Sequence, residues 1–294
     1  MALTLTEAAK LSNDVMLKGV IETIVKDSPI LQQLPFIDLV GNALTYNREN
    51  TSAGATWYAV GDTWTEGTPT FTQVTATLKI LGGDADVDQY LAMTRSNVQD
   101  LEAAVVELKA KAVRMEFEEV FINGDGTSNK LTGIKSAIIP GQTISMGTNG
   151  AVLTLTRLDE LIDTVKPGRP NLLLMSKRTR RGLTSLVRSS GAFLETHQTE
   201  FGTFQEFYAG IPIGVSDYIS DADTQGSSNN ASRVYALTFG EGAVAGLQGP
   251  GGLQVERVGN LETKDAVRWR IKWYVGLAIF SDLSAGQLIG VLPV

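Results

Sequence analysis

The stretch Phe-Ile-Asn-Gly-Asp-Gly-Thr at residues 121–127, followed by Leu-Thr-Gly-Ile at residues 131–134, ends a long helical pattern in a tight turn. The preceding residues 97–122 predict one helix, with Asn97 as its N-cap and Gly124 as its C-cap. At 1.5 Å per residue this helix is about 39 Å long, which makes it a spine rather than an ordinary globular helix. Its predicted buried face is an apolar stripe formed by Val98, Leu101, Val105, Leu108, Ala112 and Met115.

Upstream of the spine, residues 43–91 predict a long two-stranded projection. The segments 44–47 and 74–80 alternate as strands do, and the stretch between them is too long for a tight hairpin turn. An isolated two-stranded ribbon is marginal in water, so the projection needs a surface to lie on, in this chain or in another copy. The candidate contact residues on it are aromatic, namely Trp57, Tyr58, Trp64 and Phe71.

The N-terminal residues 4–26 predict an amphipathic helix that Thr6 can cap. Pro29 and Pro35 end the helical pattern. We describe this segment as an arm, because no second element folds it back immediately. Its apolar face needs a partner, and the candidate contact residues are Leu17, Ile21 and Ile24.

Downstream of the turn, the pattern is typical of an α+β domain. Residues 156–165 predict a helix whose first residues, Thr156 and Asp159, resemble a capping box. A buried strand at 172–175 then leads to a second helix, which Ser176 caps and which runs to about residue 188.

The remainder of the chain is rich in predicted loops and strands. The polar run 221–232 is expected to be exposed and mobile. Strands are predicted at 234–239, 253–258 and 266–279. In the last of these strands, apolar residues alternate with Arg268, Arg270 and Lys272, so that one face is apolar and the other is cationic.

Composition excludes several classes of function. The 294 residues include no Cys and a single His, and the net charge is −7. The lack of Cys excludes disulfide scaffolds, cysteine zinc sites and thiol catalysis, and a single His excludes multi-histidine metal catalysis. An acidic chain has no general attraction to nucleic acid or anionic lipid. No apolar run approaches the roughly 18 residues of a membrane helix, and residues 1–10 do not resemble a secretory signal, so a soluble intracellular protein is expected.

Three patterns resemble ligand sites, and each has a simpler interpretation. The Gly-x-Gly-x-x-Ala run at 240–245 lacks the following helix that a dinucleotide site needs, which favours turns. Asp84, Asp86 and Asp88 share a strand face and could hold Ca²⁺ or Mg²⁺, but we favour a solvated edge or contact with basic residues of another subunit. Residues 123–127 resemble a Ca²⁺ loop without its required Gly and Glu, which favours a tight turn.

His197 is the only imidazole, so a Ser/His/Asp triad would have to use it. It lies in a polar, loop-like stretch, and Ser216 lacks the second Gly of a nucleophile elbow, which favours an exposed loop histidine. The sequence therefore predicts no catalytic residue, no cofactor and no metal.

A basic cluster lies on the second predicted helix of the α+β region. Its side chains can contact phosphate, pair with carboxylates of a neighbouring subunit, or remain solvated. No aromatic residues interleave with them, which disfavours a stacking platform for single strands. The cluster comprises Lys177, Arg178, Arg180, Arg181 and Arg188.

Taken in order, the arm, the projection, the spine with its turn, the helix–strand–helix layer and the final strands resemble the major capsid proteins of tailed phages, which have the Hong Kong 97 type fold. The resemblance rests on residues 121–127 and 131–134, on Ser-Pro-Ile-Leu-Gln-Gln-Leu-Pro-Phe at 28–36, and on the strands between 235 and 288. It covers nearly the whole chain.

The resemblance implies a map of the subunit, namely an N-terminal arm (1–42), an E-loop laid over a neighbouring subunit (43–92), a P-domain (93–151 and 266–294) and an A-domain (152–265). The loops of the A-domain would meet around fivefold and sixfold positions. Many family members carry a scaffolding segment before the arm. Here the arm begins at Met1, so a separate scaffolding protein, or none, is expected.

The implied function is a structural subunit that self-assembles, as hexamers and pentamers, into the icosahedral shell of a tailed-phage head. Its expected partners are other copies of itself, a scaffolding protein, a portal, and packaged double-stranded DNA held without sequence specificity, with no membrane. The virion is its expected location, after assembly in the host bacterial cytoplasm. The alternatives are the shell protein of an encapsulin-type bacterial nanocompartment, a serine hydrolase using His197, and a monomeric adhesin-like domain.

Overall fold

The computed structural model describes residues 28–51, 53–90, 101–198 and 204–293. Their helices are α1 (Leu101–Asn123), α2 (Ile134–Ala137), α3 (Leu155–Thr164) and α4 (Lys177–Ser189), with short 3₁₀ turns at Pro140–Gln142 and Asp282–Ser284. Their strands are β1 (Phe36–Asp38), β2 (Ala43–Thr51), β3 (Thr70–Thr77), β4 (Lys79–Asp88), β5 (Thr143–Ser145), β6 (Ala151–Val152), β7 (Leu172–Met175), β8 (Glu195–Gln198), β9 (Phe204–Tyr208), β10 (Ile211–Val215), β11 (Asp223–Gln225), β12 (Ser228–Leu237), β13 (Val244–Asn260), β14 (Ala266–Ile279) and β15 (Ala285–Leu292). None of the helices in these ranges is long and apolar enough to cross a membrane.

The glycine turn after the spine helix α1 is explained by close backbone contacts. The Gly124 N–H donates to the Val120 carbonyl, and the Gly133 N–H donates to the Gly124 carbonyl, each at 2.8 Å. A Cβ on Gly124 would lie 2.2 Å from the Leu131 carbonyl oxygen, and a Cβ on Gly133 would lie 2.6 Å from the Gly124 nitrogen. Only glycine at these two positions therefore lets the chain return against the end of α1.

The buried face of α1 is displaced by one or two residues from the predicted stripe. The row that faces the core is Val106, Ala110, Val113, Phe117 and Phe121. Leu108 and Met115 are 65% and 50% exposed, and Ala112 is exposed as well, so their prediction as buried residues was wrong. Both rows are apolar at helical spacing, and the row with two phenylalanines is buried because it removes more apolar area from water. Asn97 and Val98 lie outside the described residues.

The spine packs on a four-stranded sheet with the order β1-β13-β14-β4. β14 is antiparallel to both of its neighbours, and β1 runs parallel to β13. The predicted alternation in β14 is confirmed, because its apolar residues, including Trp269 and Trp273, are buried. The ring of Phe117 on α1 lies 5.0 Å from that of Trp273, and the ring of Phe36 lies 5.3 Å from it on another side.

A nine-stranded sheet forms the second layer, with the main order β5-β15-β12-β7-β10-β9-β8. Its strand β7 has the predicted bounds 172–175 and is buried on both faces. Leu173 and Met175 pack with α3 and α4, while Leu172 and Leu174 join the core shared with α1. The predicted cap of α4 is confirmed, because the Ser176 side chain accepts a hydrogen bond from the backbone of the following turn.

Among the described strands, β2 and β3 pair only with each other, as an antiparallel hairpin, which confirms the predicted two-stranded pairing. The Leu78 N–H donates to the Asn42 carbonyl at 2.8 Å and closes the root of this hairpin. The alternating segment 74–80 is not one strand, because the chain passes at Leu78 from the hairpin into β4, which pairs with β14.

Two local predictions were wrong. The run 221–232 is not an exposed loop, because β11 and the start of β12 pair within it and Ser232 is fully buried. Burial of this serine is compatible with its polarity because its hydroxyl bonds to the Ser176 hydroxyl at 3.3 Å. Helix α3 is capped by Thr154 rather than Thr156, since Thr154 Oγ1 accepts the Arg157 N–H at 3.4 Å.

Candidate functional site

The tip of the β2–β3 hairpin, residues 53–69, holds two strongly exposed tryptophans, one of which is the most exposed aromatic residue of the described chain. Trp57 is 100% exposed and Trp64 is 79% exposed. The rings of Tyr58 and Trp64 are stacked with their centroids 4.4 Å apart. The Tyr58 hydroxyl lies 2.9 Å from Thr65 Oγ1 and accepts the Thr65 N–H at 3.0 Å, and these bonds lower the pKa of Tyr58. The tip therefore has local order, while its largest apolar surface faces solvent.

Phe71, the fourth predicted contact on the hairpin, is also exposed. The structure thus brings the rings of Tyr58 and Trp64 together and leaves the rings of Trp57 and Phe71 exposed to solvent. The predicted contacts on the arm, Leu17, Ile21 and Ile24, lie outside the described residues.

The basic cluster on α4 is largely neutralised by acidic side chains of the same chain. Three of its five members form ion pairs, Lys177–Asp217 at 2.7 Å, Arg178–Asp221 at 3.4 Å and Arg180–Glu206 at 2.9 Å. Arg181 and Arg188 are exposed, and no ion pair joins either of them to another described residue. The charge available to phosphate or to a second copy is therefore two arginines.

The acidic strand face pairs with β14 of the same chain. Arg270 binds the Asp84 carboxylate through two nitrogens at 2.7 and 2.8 Å, and Arg268 binds Asp86 with the same two distances. These hydrogen bonds hold the pKa of both carboxyls below the ordinary value. The expected solvated edge, or contact with another subunit, is thus replaced for these two residues by intrachain pairing. Within the described ranges, no cluster of three or more His, Asp or Glu side chains is arranged to hold a metal.

His197 does not sit in a triad. It lies on the exposed strand β8, with its ring edge-on to Phe207 at 5.0 Å and its Nε2 3.8 Å from the Glu195 carboxylate. Ser216 is buried, and its hydroxyl accepts the Tyr218 N–H instead. No hydrogen bond among the described residues joins His197 to a serine.

The chain is similar to one protein family over most of its length. The model of the phage capsid family matches residues 11–285. The chain belongs to the phage capsid family. The resemblance drawn from the order of the sequence elements is thereby confirmed, and this capsid-family chain is a shell-forming structural subunit.

Solved structures agree with the fold of this capsid-family chain. The encapsulin of Synechococcus elongatus has a TM-score of 0.72 and 19% identity, with 90% of this chain and 88% of that chain covered. The capsid of an empty GTA particle has a TM-score of 0.67 and 17% identity, with 90% of both chains covered. Mycobacterium phage Bobi gives 0.63 and 13%, with 89% of this chain and 90% of that chain covered. At these identities the likeness shows the fold alone. No curated protein sequence gives a significant match.

Two clusters of polar side chains in the capsid-family chain could not be predicted from its sequence. Asp223 on β11 binds Arg233 at 2.5 Å and Lys135 at 3.2 Å. Burial raises the pKa of Asp223, but the hydrogen bond and charge of Arg233, helped by Lys135, more than offset this and hold it below the ordinary value. The second cluster joins Arg48 and Asp282, which are 234 residues apart in the chain. Residues that lie so far apart in the chain form no periodic sequence pattern from which their contact could be predicted.

Proposed function

We propose that this chain is the subunit of the icosahedral shell of a tailed-phage head, which encloses double-stranded DNA without sequence specificity. The observation that carries the proposal is the exposed hairpin tip on a capsid fold. A ribbon that pairs with none of the other described strands and presents Trp57 and Trp64 to solvent is marginal by itself, and many identical copies supply the missing surface.

The proposed map of the subunit is the one that the family resemblance implies. The N-terminal arm is 1–42, the E-loop is 43–92, the P-domain is 93–151 with 266–294, and the A-domain is 152–265. The pairing of strands refines the map, because β13 pairs with β14 and β15 lies between β5 and β12. We therefore assign β13 to the P-domain and β15 to the A-domain, and restrict the projecting part of the E-loop to the β2–β3 hairpin.

Electron microscopy of the expressed full chain tests the proposal. We expect closed shells from the wild-type chain and none after deletion of residues 50–70. Dissociated subunits of the deletion variant should keep the circular dichroism and unfolding midpoint of a folded body. Normal shells from this deletion would contradict the assignment of the E-loop. Leu108→Ala, which removes an exposed apolar side chain on α1, is the control and should leave assembly unchanged.

A second candidate, the shell of an encapsulin-type compartment, is favoured by the similarity to the encapsulin of Synechococcus elongatus. The contents of particles made in the natural host distinguish the two. Nuclease-protected double-stranded DNA supports the phage head, while particles filled with a protein cargo and free of DNA support the compartment.

The proposal extends to the remaining partners and the location. A portal and a separate scaffolding protein would join the shell in the host bacterial cytoplasm, and the finished product would be the capsid of a virion. Mass spectrometry of particles purified before and after DNA filling tests this. A scaffolding protein should be present only in the earlier particles, and a portal in both.

A further inference from the structure

Beyond its root, the hairpin is held to the body by a small set of directed contacts in the middle of β2. Arg48 donates from Nη1 to the Asp282 carboxylate and from Nη2 to the Ile279 carbonyl. The Tyr46 hydroxyl donates to the same carbonyl at 2.9 Å, and its ring lies 4.7 Å from the ring of Phe280. We call this set of contacts, made by Arg48, Tyr46, Ile279, Phe280 and Asp282, the clasp.

The clasp is partly shielded from water. The side chains of Arg48 and Asp282 are 21% and 33% exposed, and the Arg48 guanidinium carbon lies 5.7 Å from the centroid of the Tyr46 ring. Asp282 begins a 3₁₀ turn that Ser281 caps, since the Ser281 hydroxyl accepts the Leu283 N–H at 3.3 Å. Charge-assisted hydrogen bonds to a positioned carboxylate are stronger than neutral ones. The clasp therefore joins two ordered elements rather than two mobile side chains.

Apolar contacts also bring the root and body together, but they are less directional. Leu44 and Ala76 of the hairpin pack near Leu247 and Ala278 of the four-stranded sheet. Burial of apolar area is non-directional, whereas hydrogen bonds weaken steeply when their angles change. The apolar contacts therefore hold the root against the body, and the clasp selects one orientation.

The part of the hairpin beyond the clasp amplifies any change in orientation at the clasp. At about 3.4 Å per residue, residues 49–51 of β2 span about 10 Å, so a rotation of roughly 10° at the clasp moves the end of this strand by about 2 Å. The exposed rings of the tip lie farther out still. Small errors in orientation would carry the tip away from a partner surface.

We infer that Arg48 is a positioning residue that fixes the direction in which the hairpin leaves the body. It acts through Asp282 and the Ile279 carbonyl and thereby places the tip on the next copy. The consequence for assembly rests on the proposed shell function, whereas the orientation of the hairpin can be measured in the subunit alone.

The first test measures the orientation directly. The chain contains no Cys, so the double substitution Thr63→Cys and Thr156→Cys attaches a pair of labels between the tip and α3 only. In dissociated full-length subunits, we expect one narrow distance distribution in the otherwise wild-type protein. With Arg48→Met we expect loss of the single population and a shift of the mean. An unchanged distribution would overturn the inference.

Two further variants separate positioning from general stability. Arg268→Met removes a paired arginine from the body that does not touch the hairpin, and it should leave the tip distance unchanged even where it lowers the unfolding midpoint. Asp282→Asn keeps the size of the side chain but loses its charge, and we expect a broadened distribution with a smaller shift than in Arg48→Met. If Arg268→Met broadens the distribution as much as Arg48→Met does, Arg48 is merely structural.

The second test examines particles by electron microscopy. Arg48→Met should reduce the yield of regular shells and widen their range of diameters, while Arg268→Met should preserve both. Shells of wild-type yield and diameter from Arg48→Met would overturn the role in assembly. If the unsubstituted chain forms no shell, the proposed function fails, and the distance measurement still decides whether the clasp orients the hairpin.

Discussion

The four tryptophans of the chain divide into two pairs with opposite surroundings. Trp269 and Trp273 on β14 are 6% and 4% exposed, whereas Trp57 and Trp64 on the hairpin tip face solvent. The first pair packs between the four-stranded sheet and α1, and the Trp269 indole N–H donates to the Glu102 carboxylate at 3.1 Å. One pair therefore belongs to the subunit core, and the other is available to a second copy.

The difference shows that sequence context, and not residue type, separates core from interface. On β14 each tryptophan alternates with a charged residue, which fixes the face that turns inward. On the tip, the tryptophans lie among Thr, Gly and Ala, without alternation and without a neighbouring strand. Large rings without a core of their own are the expected anchors of an interface.

The largest expected effect is on the buried pair. Trp273→Ala should lower the free energy of unfolding of dissociated subunits by about 3–5 kcal/mol, because it leaves a cavity between Phe36 and Phe117. Chemical denaturation measures this, with Trp57→Ala as the matched control. Equal destabilisation by the two variants would remove the distinction between the pairs.

The next effect concerns the exposed pair in the assembled state. Trp64→Ala should change the unfolding free energy of dissociated subunits by less than about 0.5 kcal/mol, as for most surface substitutions. Shells of this variant should dissociate at clearly lower denaturant than wild-type shells, since truncating an interface anchor costs about 2 kcal/mol or more. Leu108→Ala, on the exposed side of α1, should leave shell dissociation unchanged. If Trp64→Ala shifts subunit unfolding as much as shell dissociation, the ring belongs to the core of its own chain.

A smaller effect, measured by tryptophan fluorescence, compares the solvent exposure of the buried pair with that of the exposed pair. In the double variant Trp57→Phe and Trp64→Phe, the remaining fluorescence comes from Trp269 and Trp273, which are buried in the subunit. Acrylamide quenching of this variant should be weak and equal in subunits and shells. Wild-type subunits should be quenched strongly, and assembly should protect them. Unchanged wild-type quenching on assembly would mean that the tip is not covered.

The smallest expected effect is on the pH dependence of subunit stability. It comes from the charged face of β14, which lies opposite the face that carries its tryptophans. Arg270 holds the pKa of Asp84 below its ordinary value, so this pair contributes stability above the unfolded pKa of about 4. That contribution is lost as the pH falls through the lower folded pKa. Asp84→Asn should therefore be less stable than the wild-type subunit at neutral pH, and the difference should shrink below about pH 4. A difference that does not change with pH would contradict this linkage.

Much of the fold could be predicted, because its signals are local and periodic. The bounds of β7 and β14 and the Ser176 cap follow from alternation and capping chemistry. The choice between two apolar rows on α1 could not be predicted, because it depends on what the opposing sheet offers to Phe117 and Phe121. Pairing of the run 221–232 as strands was also missed, since it depends on β11 folding back on the start of β12 and on the contact of Ser232 with Val291 of β15, neither of which a run of polar residues indicates.

The residues of the candidate site also divide into those that could be predicted from the sequence and those that could not. Exposed aromatic residues on an extended segment were visible in the sequence, because nothing near Trp57 or Trp64 provides a core. The pairing of Arg268 with Asp86 and of Arg270 with Asp84 was not visible in the sequence. It depends on the register between β14 and β4, which no local pattern gives. The contact between Arg48 and Asp282 depends on chain closure over 234 residues, which no local pattern encodes.

The place of β15 in the nine-stranded sheet has a consequence for synthesis of the protein. This strand, the last in sequence order of the described strands, lies between β5 and β12, so β12 has only one of its two main neighbours until residues 285–292 have emerged from the ribosome. A nascent or prematurely terminated chain therefore carries a sheet with an unpaired inner edge. Such a product is expected to be aggregation-prone and unable to occupy a place in a particle, which makes completion of translation a checkpoint for assembly.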